Sequence, residues 1–105
     1  MEIHLTAKNL SATEGVKNWV FEKVGKFEKY SPRLVESHVI LKKEKYLYVA
    51  EVTLVGGHLY VYGEGSDKES LFTAIDLACD RVAVQLKKFR EKLKRHHLDK
   101  RGEGE

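Results

Sequence analysis

The sequence has one cysteine, one proline and one methionine in 105 residues, and no long apolar run. Each shortage excludes something. A lone Cys79 excludes an internal disulfide framework and fits a reducing compartment. No apolar stretch approaches the roughly 20 residues needed to span a bilayer, so a transmembrane helix is not expected. The opening MEIHLTAK has no basic segment leading into an apolar core, so it does not read as a signal peptide. With Pro32 the only proline, the chain has one strong helix breaker, and it falls directly after Ser31. Phosphate-loop chemistry is also missing, since GEGSD (residues 63–67) lacks the spacing and the lysine of such a loop.

What is present is a helix. Residues 71–97 read LFTAIDLACDRVAVQLKKFREKLKRHH, without Gly or Pro and rich in good helix formers. Leu71, Ile75, Ala78, Val82, Leu86, Phe89 and Leu93 recur every three or four residues, the stripe of a helix with one buried face. From Lys87 onward the polar positions are almost all cationic. Residues 87–101 carry a net charge of +6, against −1 for residues 1–86 and −2 for the last four. A near-neutral body with one basic arm points to a polyanionic partner. On the arm, Arg81, Lys88, Lys92 and Arg95 share one flank of the apolar stripe, and Lys87, Arg90 and Lys94 share the other. A solvated helix end that suits the C-terminal dipole is the plainer alternative. A membrane surface is disfavoured, because the apolar stripe is needed to cover a sheet.

The remainder predicts that sheet. Residues 2–8 alternate, with Ile3, Leu5 and Ala7 on one side. Thr13 is the expected N-cap, with a Ser11–Glu14 capping box as the competing reading, of a helix running to about Tyr30, with Val16, Val20, Val24 and Phe27 inward and Trp19, Lys23, Lys26 and Tyr30 on one flank. Residues 35–43 alternate again, with Val35, Val39 and Leu41 inward. Residues 46–55 form a third strand, with Tyr48, Ala50, Val52 and Leu54 inward and Val49, Glu51 and Thr53 outward. Gly56-Gly57 signals a hairpin into a fourth strand, 58–64, loosened at its end by Gly63 and Gly65. The order β-α-β-β-β-α gives an α+β, two-layer sandwich: a four-stranded mixed sheet in order 1-2-3-4 with both helices on one face. Residues 1–97 form the domain and 98–105 a frayed polar tail.

No catalytic constellation emerges, and no enzyme is expected. Cys79 reads as core filler on the helix, with nothing spaced to activate it. His4, His38 and His58 fall on the outer sheet face, but on three different strands, so a metal site is not expected. Asp76 and Asp80 are assigned to the exposed side of the last helix. Tyr60 and Tyr62 on the outer face could stack unpaired bases, which makes a single-stranded RNA-binding module or RNA chaperone the second reading.

Ala74-Ile75-Asp76, Asp80-Arg81-Val82, Gln85-Leu86 and Lys88 resemble the signature helix of the bacterial ribosome hibernation-promoting factors, also called ribosome-associated inhibitors or sigma-modulation proteins. Ile3 and Leu5, the Lys26–Tyr30 run KFEKY and the Val39–Lys45 run VILKKEK are similar to the same family. Phe72 stands where the family usually has Tyr, and Val84 where Arg is common. The chain resembles the family's short form. The resemblance implies a cytoplasmic, non-enzymatic translation inhibitor without cofactor, small-molecule substrate or membrane partner; the sequence leaves the oligomeric state open, with a monomer favoured. Its implied partner is the small ribosomal subunit and its ribosomal RNA, near the decoding centre, where it blocks the messenger and transfer RNA sites and preserves idle ribosomes. Carried over by position, the RNA contacts would be Lys23, Lys26, Arg81, Lys88, Arg90, Lys92 and Lys94. Lys87 and Arg95 are added from charge and helical phase.

Overall fold

Alternating strands and two apolar helical stripes can be satisfied together only if the helices lie on the apolar side of a sheet, and that is the arrangement found. The computed structural model describes residues 1–31 and 33–104, with side chains as far as Lys92. Its elements are β1 (Glu2–Lys8), α1 (Glu14–Gly25), α2 (Phe27–Tyr30), β2 (Leu34–Glu44), β3 (Leu47–Gly56), β4 (Tyr60–Asp67) and α3 (Leu71–Gly104). The sheet order is β1-β2-β3-β4, with β1 parallel to β2 and the other pairs antiparallel. The predicted α+β sandwich and strand order are therefore correct.

Between the layers lie Val20, Val24, Val39, Leu41, Val52, Leu54, Ile75 and Val82, all fully buried. Burying one such side chain is worth roughly 1.5–3 kcal/mol. Thr13 caps α1 as expected: its backbone is extended and its hydroxyl accepts from the Val16 N–H at 3.2 Å. The first helix is not continuous, however. It breaks at Lys26, and a single further turn, α2, carries Phe27 into the core. The Ser31 N–H closes that turn onto the Phe27 carbonyl at 3.1 Å. Pro32, the expected stop, lies outside the described residues.

Three strand assignments change. Val35 is 61% exposed and Leu34 is buried instead, because the pairing with β3 shifts register between Leu34 and Glu36. Such an irregularity turns neighbouring side chains to the other face. Val49 points outward by parity yet is buried and stands apart from the main core. It sits on β3 between Lys42 and Ser66, its partners on the two adjoining strands, in the interior of the sheet. The fourth strand starts later and runs further than predicted, to Asp67, so Gly63 and Gly65 lie within it. Both are sites of contact with α3. An added β-carbon on Gly63 would be 2.6 Å from the Ala78 carbonyl oxygen, and one on Gly65 would be 2.6 Å from the Ala78 nitrogen and against the Ala74 carbonyl.

The Asp67 carboxylate accepts from the Glu69 and Ser70 N–H groups, and the Ser70 hydroxyl accepts from Thr73 N–H at 3.3 Å. These bonds satisfy donors at the start of α3. The backbone helix continues through residues 98–104, which the sequence assigned to a frayed tail.

Candidate nucleic-acid interface

Two halves of α3 do different work. As far as Leu86 its apolar stripe is buried: Ala74, Ile75, Ala78, Cys79, Val82 and Leu86. Phe89 is half-buried and still packs on the core, and Leu93 lies outside the residues with described side chains. From Lys87 the polar positions are exposed: Lys87, Lys88, Arg90 and Lys92 all face solvent, and none forms an ion pair among the described residues. The predicted Lys94 and Arg95 lie outside the described side chains.

The flank predicted for Arg81, Lys88 and Lys92 is the one facing β4. Arg81 donates to the Glu64 carbonyl. Gln85 donates to the Tyr62 carbonyl and accepts from the Tyr62 N–H at 3.4 Å. Side chains of α3 thereby satisfy backbone groups along the outer edge of β4, which would otherwise offer a template for another strand. A guanidinium has five N–H donors, so Arg81 keeps most of its capacity for a ligand. Further along, Lys88 and Lys92 line a shallow groove with Tyr60, Val61, Gln85 and Phe89.

Lys23 lies on α1, and Lys26 at the break that follows it. Gly15 approaches Phe72, Trp19 meets Phe72 edge-on at 5.8 Å, and Trp19 and Lys23 both reach Asp76. The contacts advance together, so α1 and α3 run side by side in the same direction. That places Lys26 toward the end of the helical layer from which the basic half of α3 continues. Lys26 is exposed. Lys23 is not free: its ammonium lies 3.4 Å from the Asp76 carboxylate and 5.3 Å from the Trp19 ring centre. The assignment of Asp76 to an exposed position is corrected by the same contacts. Trp19 Nε1–H donates to its carboxylate at 2.8 Å, and the residue is half-buried between the helices. The Phe72 ring packs on Trp19, and Val84 is exposed.

The outer sheet face has different chemistry. The Tyr62 hydroxyl donates toward the Glu51 and Glu64 carboxylates at 2.8 and 3.1 Å. Burial first, and then those two carboxylates, push its ionisation well above the usual tyrosine range. The Tyr62 hydroxyl and then the Lys42 ammonium hold the Glu51 carboxyl below its ordinary value. Lys42, 2.9 Å from Glu44 and 3.0 Å from Glu51, is correspondingly raised. A phosphate approaching Tyr62 would meet two carboxylates, which argues against base stacking there. Tyr60, 73% exposed, belongs instead to the groove beside Lys88 and Lys92.

Cys79 is buried, and burial pushes its thiol up to about 12, with Lys23 pulling the other way. A nucleophile must be a thiolate, so this position lacks the chemistry for the role. None of the described helices is long and apolar enough to cross a membrane.

Sequence reasoning missed the Trp19–Asp76 bond, the capping of β4 by Arg81 and Gln85, and the closeness of His4 to His38. The two rings stack 5.0 Å apart. Alternation placed both histidines outward, but only the parallel register of β1 and β2 makes them neighbours.

Comparison with known proteins agrees with this geometry. The chain is 36% identical over 98 residues to the ribosome hibernation promoting factor of Escherichia coli K12, covering 91% of this chain and all of that one. It is 30% identical over 94 residues to the protein of the same name from Pseudomonas putida KT2440, covering 88% and 89%. Among solved structures, the N-terminal domain of Thermus thermophilus Protein Y superposes with a TM-score of 0.75 at 28% identity, over 85% of this chain and 99% of that one. A ribosomal subunit interface protein from Coxiella burnetii shares the fold, with a TM-score of 0.80 at 13% identity, over 87% and 99%. Residues 3–94 match the family described as Sigma 54 modulation protein / S30EA ribosomal protein, and the chain belongs to that family.

Proposed function

We propose that this protein is a ribosome hibernation factor that binds the small ribosomal subunit through ribosomal RNA near the decoding centre. There it occupies the messenger and transfer RNA sites and holds idle ribosomes inactive. The observation that carries the reading is the division of α3. Its first half is fixed in the core, and its second half presents Lys87, Lys88, Arg90 and Lys92 to solvent without ion pairs among the described residues. A rigid helix of this kind positions cations without spending the ordering entropy of a flexible tail. Lys26 and Arg81 extend the same surface, with Lys94 and Arg95 assigned to it by sequence alone. Lys23, held by Asp76, contributes mainly to joining the helices. Contacts of this type go to phosphates and set position, with little base readout. The protein acts by occupancy, so no catalytic step is required.

The test is co-sedimentation with purified small subunits. The wild-type chain should pellet with the subunit at low salt and be released at high salt. Lys88→Glu combined with Lys92→Glu should bind at least about tenfold more weakly, since two phosphate contacts become repulsive. Undiminished binding by that variant would remove α3 from the interface.

A further inference from the structure

The outer face of the sheet carries a cluster that the proposed ribosome contact leaves unused. β1 and β2 are parallel, and their register sets Glu2 beside Glu36 and His4 beside His38. Within a strand, residues two apart share a face. Two carboxylates and two imidazoles therefore form a two-by-two block on the side away from the helices. Glu36 is its centre. One carboxylate oxygen lies 3.4 Å from His4 Nε2, and the other lies 3.4 Å from His38 Nε2. Glu2 approaches the same His4 nitrogen at 3.6 Å.

These separations have a chemical meaning. They exceed the usual N–H···O hydrogen-bond range of roughly 2.7–3.2 Å. They match the edge of a ligand tetrahedron, because metal–ligand bonds of about 2.0–2.1 Å place neighbouring ligand atoms about 3.3–3.4 Å apart. The ligand atoms of Glu2, His4 and Glu36 all fall within 4.8 Å of one another. His38 flanks this set, its Nε2 on the Glu36 oxygen that His4 does not contact and its ring stacked on that of His4.

Charge supplies a second and independent reason. Two carboxylates side by side on neighbouring strands repel. Among the described residues, the ion-pair partners of Glu2 and Glu36 are these histidines and no lysine or arginine. A divalent cation at the centre would compensate both carboxylates at once. The donor set also selects among cations. Calcium and magnesium favour all-oxygen sites. Mixed imidazole and carboxylate ligands suit zinc.

We propose that Glu2, His4 and Glu36 form a zinc-binding site on the outer face of the sheet, with His38 beside it on the other Glu36 oxygen. The bound ion ties β1, an edge strand held by one neighbour, to β2. It lies opposite the helical layer, so its occupancy leaves Lys88 and Lys92 free to act.

The experiment uses the full chain titrated with zinc chloride, followed by calorimetry and by thermal unfolding. One zinc should bind per chain and raise the unfolding temperature, because a ligand that binds only the folded state stabilises it. His4→Ala combined with His38→Ala should weaken zinc binding by at least about tenfold and abolish the thermal shift. His58→Ala, which removes a histidine away from the block, should bind as the wild type does. The double variant's metal-free unfolding temperature and circular dichroism show whether it is folded; if it is not, Glu36→Gln takes its place, with the same loss expected. Absence of saturable zinc binding, equal binding by the folded variant, or an equal thermal shift with magnesium chloride would each overturn the proposal.

Discussion

A β-carbon on Gly65 would meet the backbone of Ala74 and the Ala78 nitrogen, atoms that cannot swing aside. The sheet and α3 would have to separate there, and overpacking of this kind typically costs about 1–3 kcal/mol. Gly65→Ala should therefore lower stability by at least about 2 kcal/mol in a urea titration. Gly25 provides the contrast. It ends α1 with nothing within 4 Å of an added β-carbon. Gly25→Ala should stabilise by about 0.5–1 kcal/mol, since alanine restricts the unfolded chain and suits a helix. If the two alanines shift the midpoint equally, close approach is not what Gly65 provides. The sequence showed both glycines but not this difference. Read locally, Gly63 and Gly65 look like a loosened strand end, and only the helix lying on them explains their place.

At the scale of elements, the joint between α1 and α3 depends on Asp76. It accepts the Trp19 indole N–H and faces the Lys23 ammonium. Asp76→Ala would leave the indole donor half-buried without its partner. Losing a hydrogen bond to a charged group costs about 1.5–3 kcal/mol, and partial exposure places the expected loss near the lower end. Trp19 is the only tryptophan, so its emission reports the joint directly. The variant should unfold at lower urea and show a shifted emission maximum while folded. Unchanged emission would mean that the indole does not depend on Asp76. Helical stripes were legible here because the helical period is fixed, so Val16, Val20, Val24 and Phe27 were found from spacing alone. The flanks of α3 followed from the same period. What spacing does not encode is which flank meets which neighbour. Asp76 was therefore placed in solvent, and Val35 was placed inward because a register shift leaves no mark on alternation.

At the scale of the whole molecule, charge and fold are separated along the chain. Residues 1–86 carry a net −1 and supply the sheet, α1 and the buried half of α3, whereas residues 87–101 carry +6. Binding by such an arm should be dominated by released counterions. Each phosphate neutralised contributes about 0.7–0.9 to the slope of log affinity against log salt. Lys88→Gln with Lys92→Gln removes two of the proposed contacts without adding repulsion, so under the proposed function the slope for small ribosomal subunits should become shallower by about 1.4–1.8. Lys42→Gln removes one charge from the outer face, where the ammonium is paired with Glu44 and Glu51, and should leave the slope unchanged. Net charge alone predicts equal effects per lysine removed. A cationic surface held in place by α3 predicts that only the helix positions matter. A slope change for the Lys42 variant half as large as that of the α3 double variant would therefore show that the ribosome responds to the molecule's total charge and not to the surface that its last helix presents.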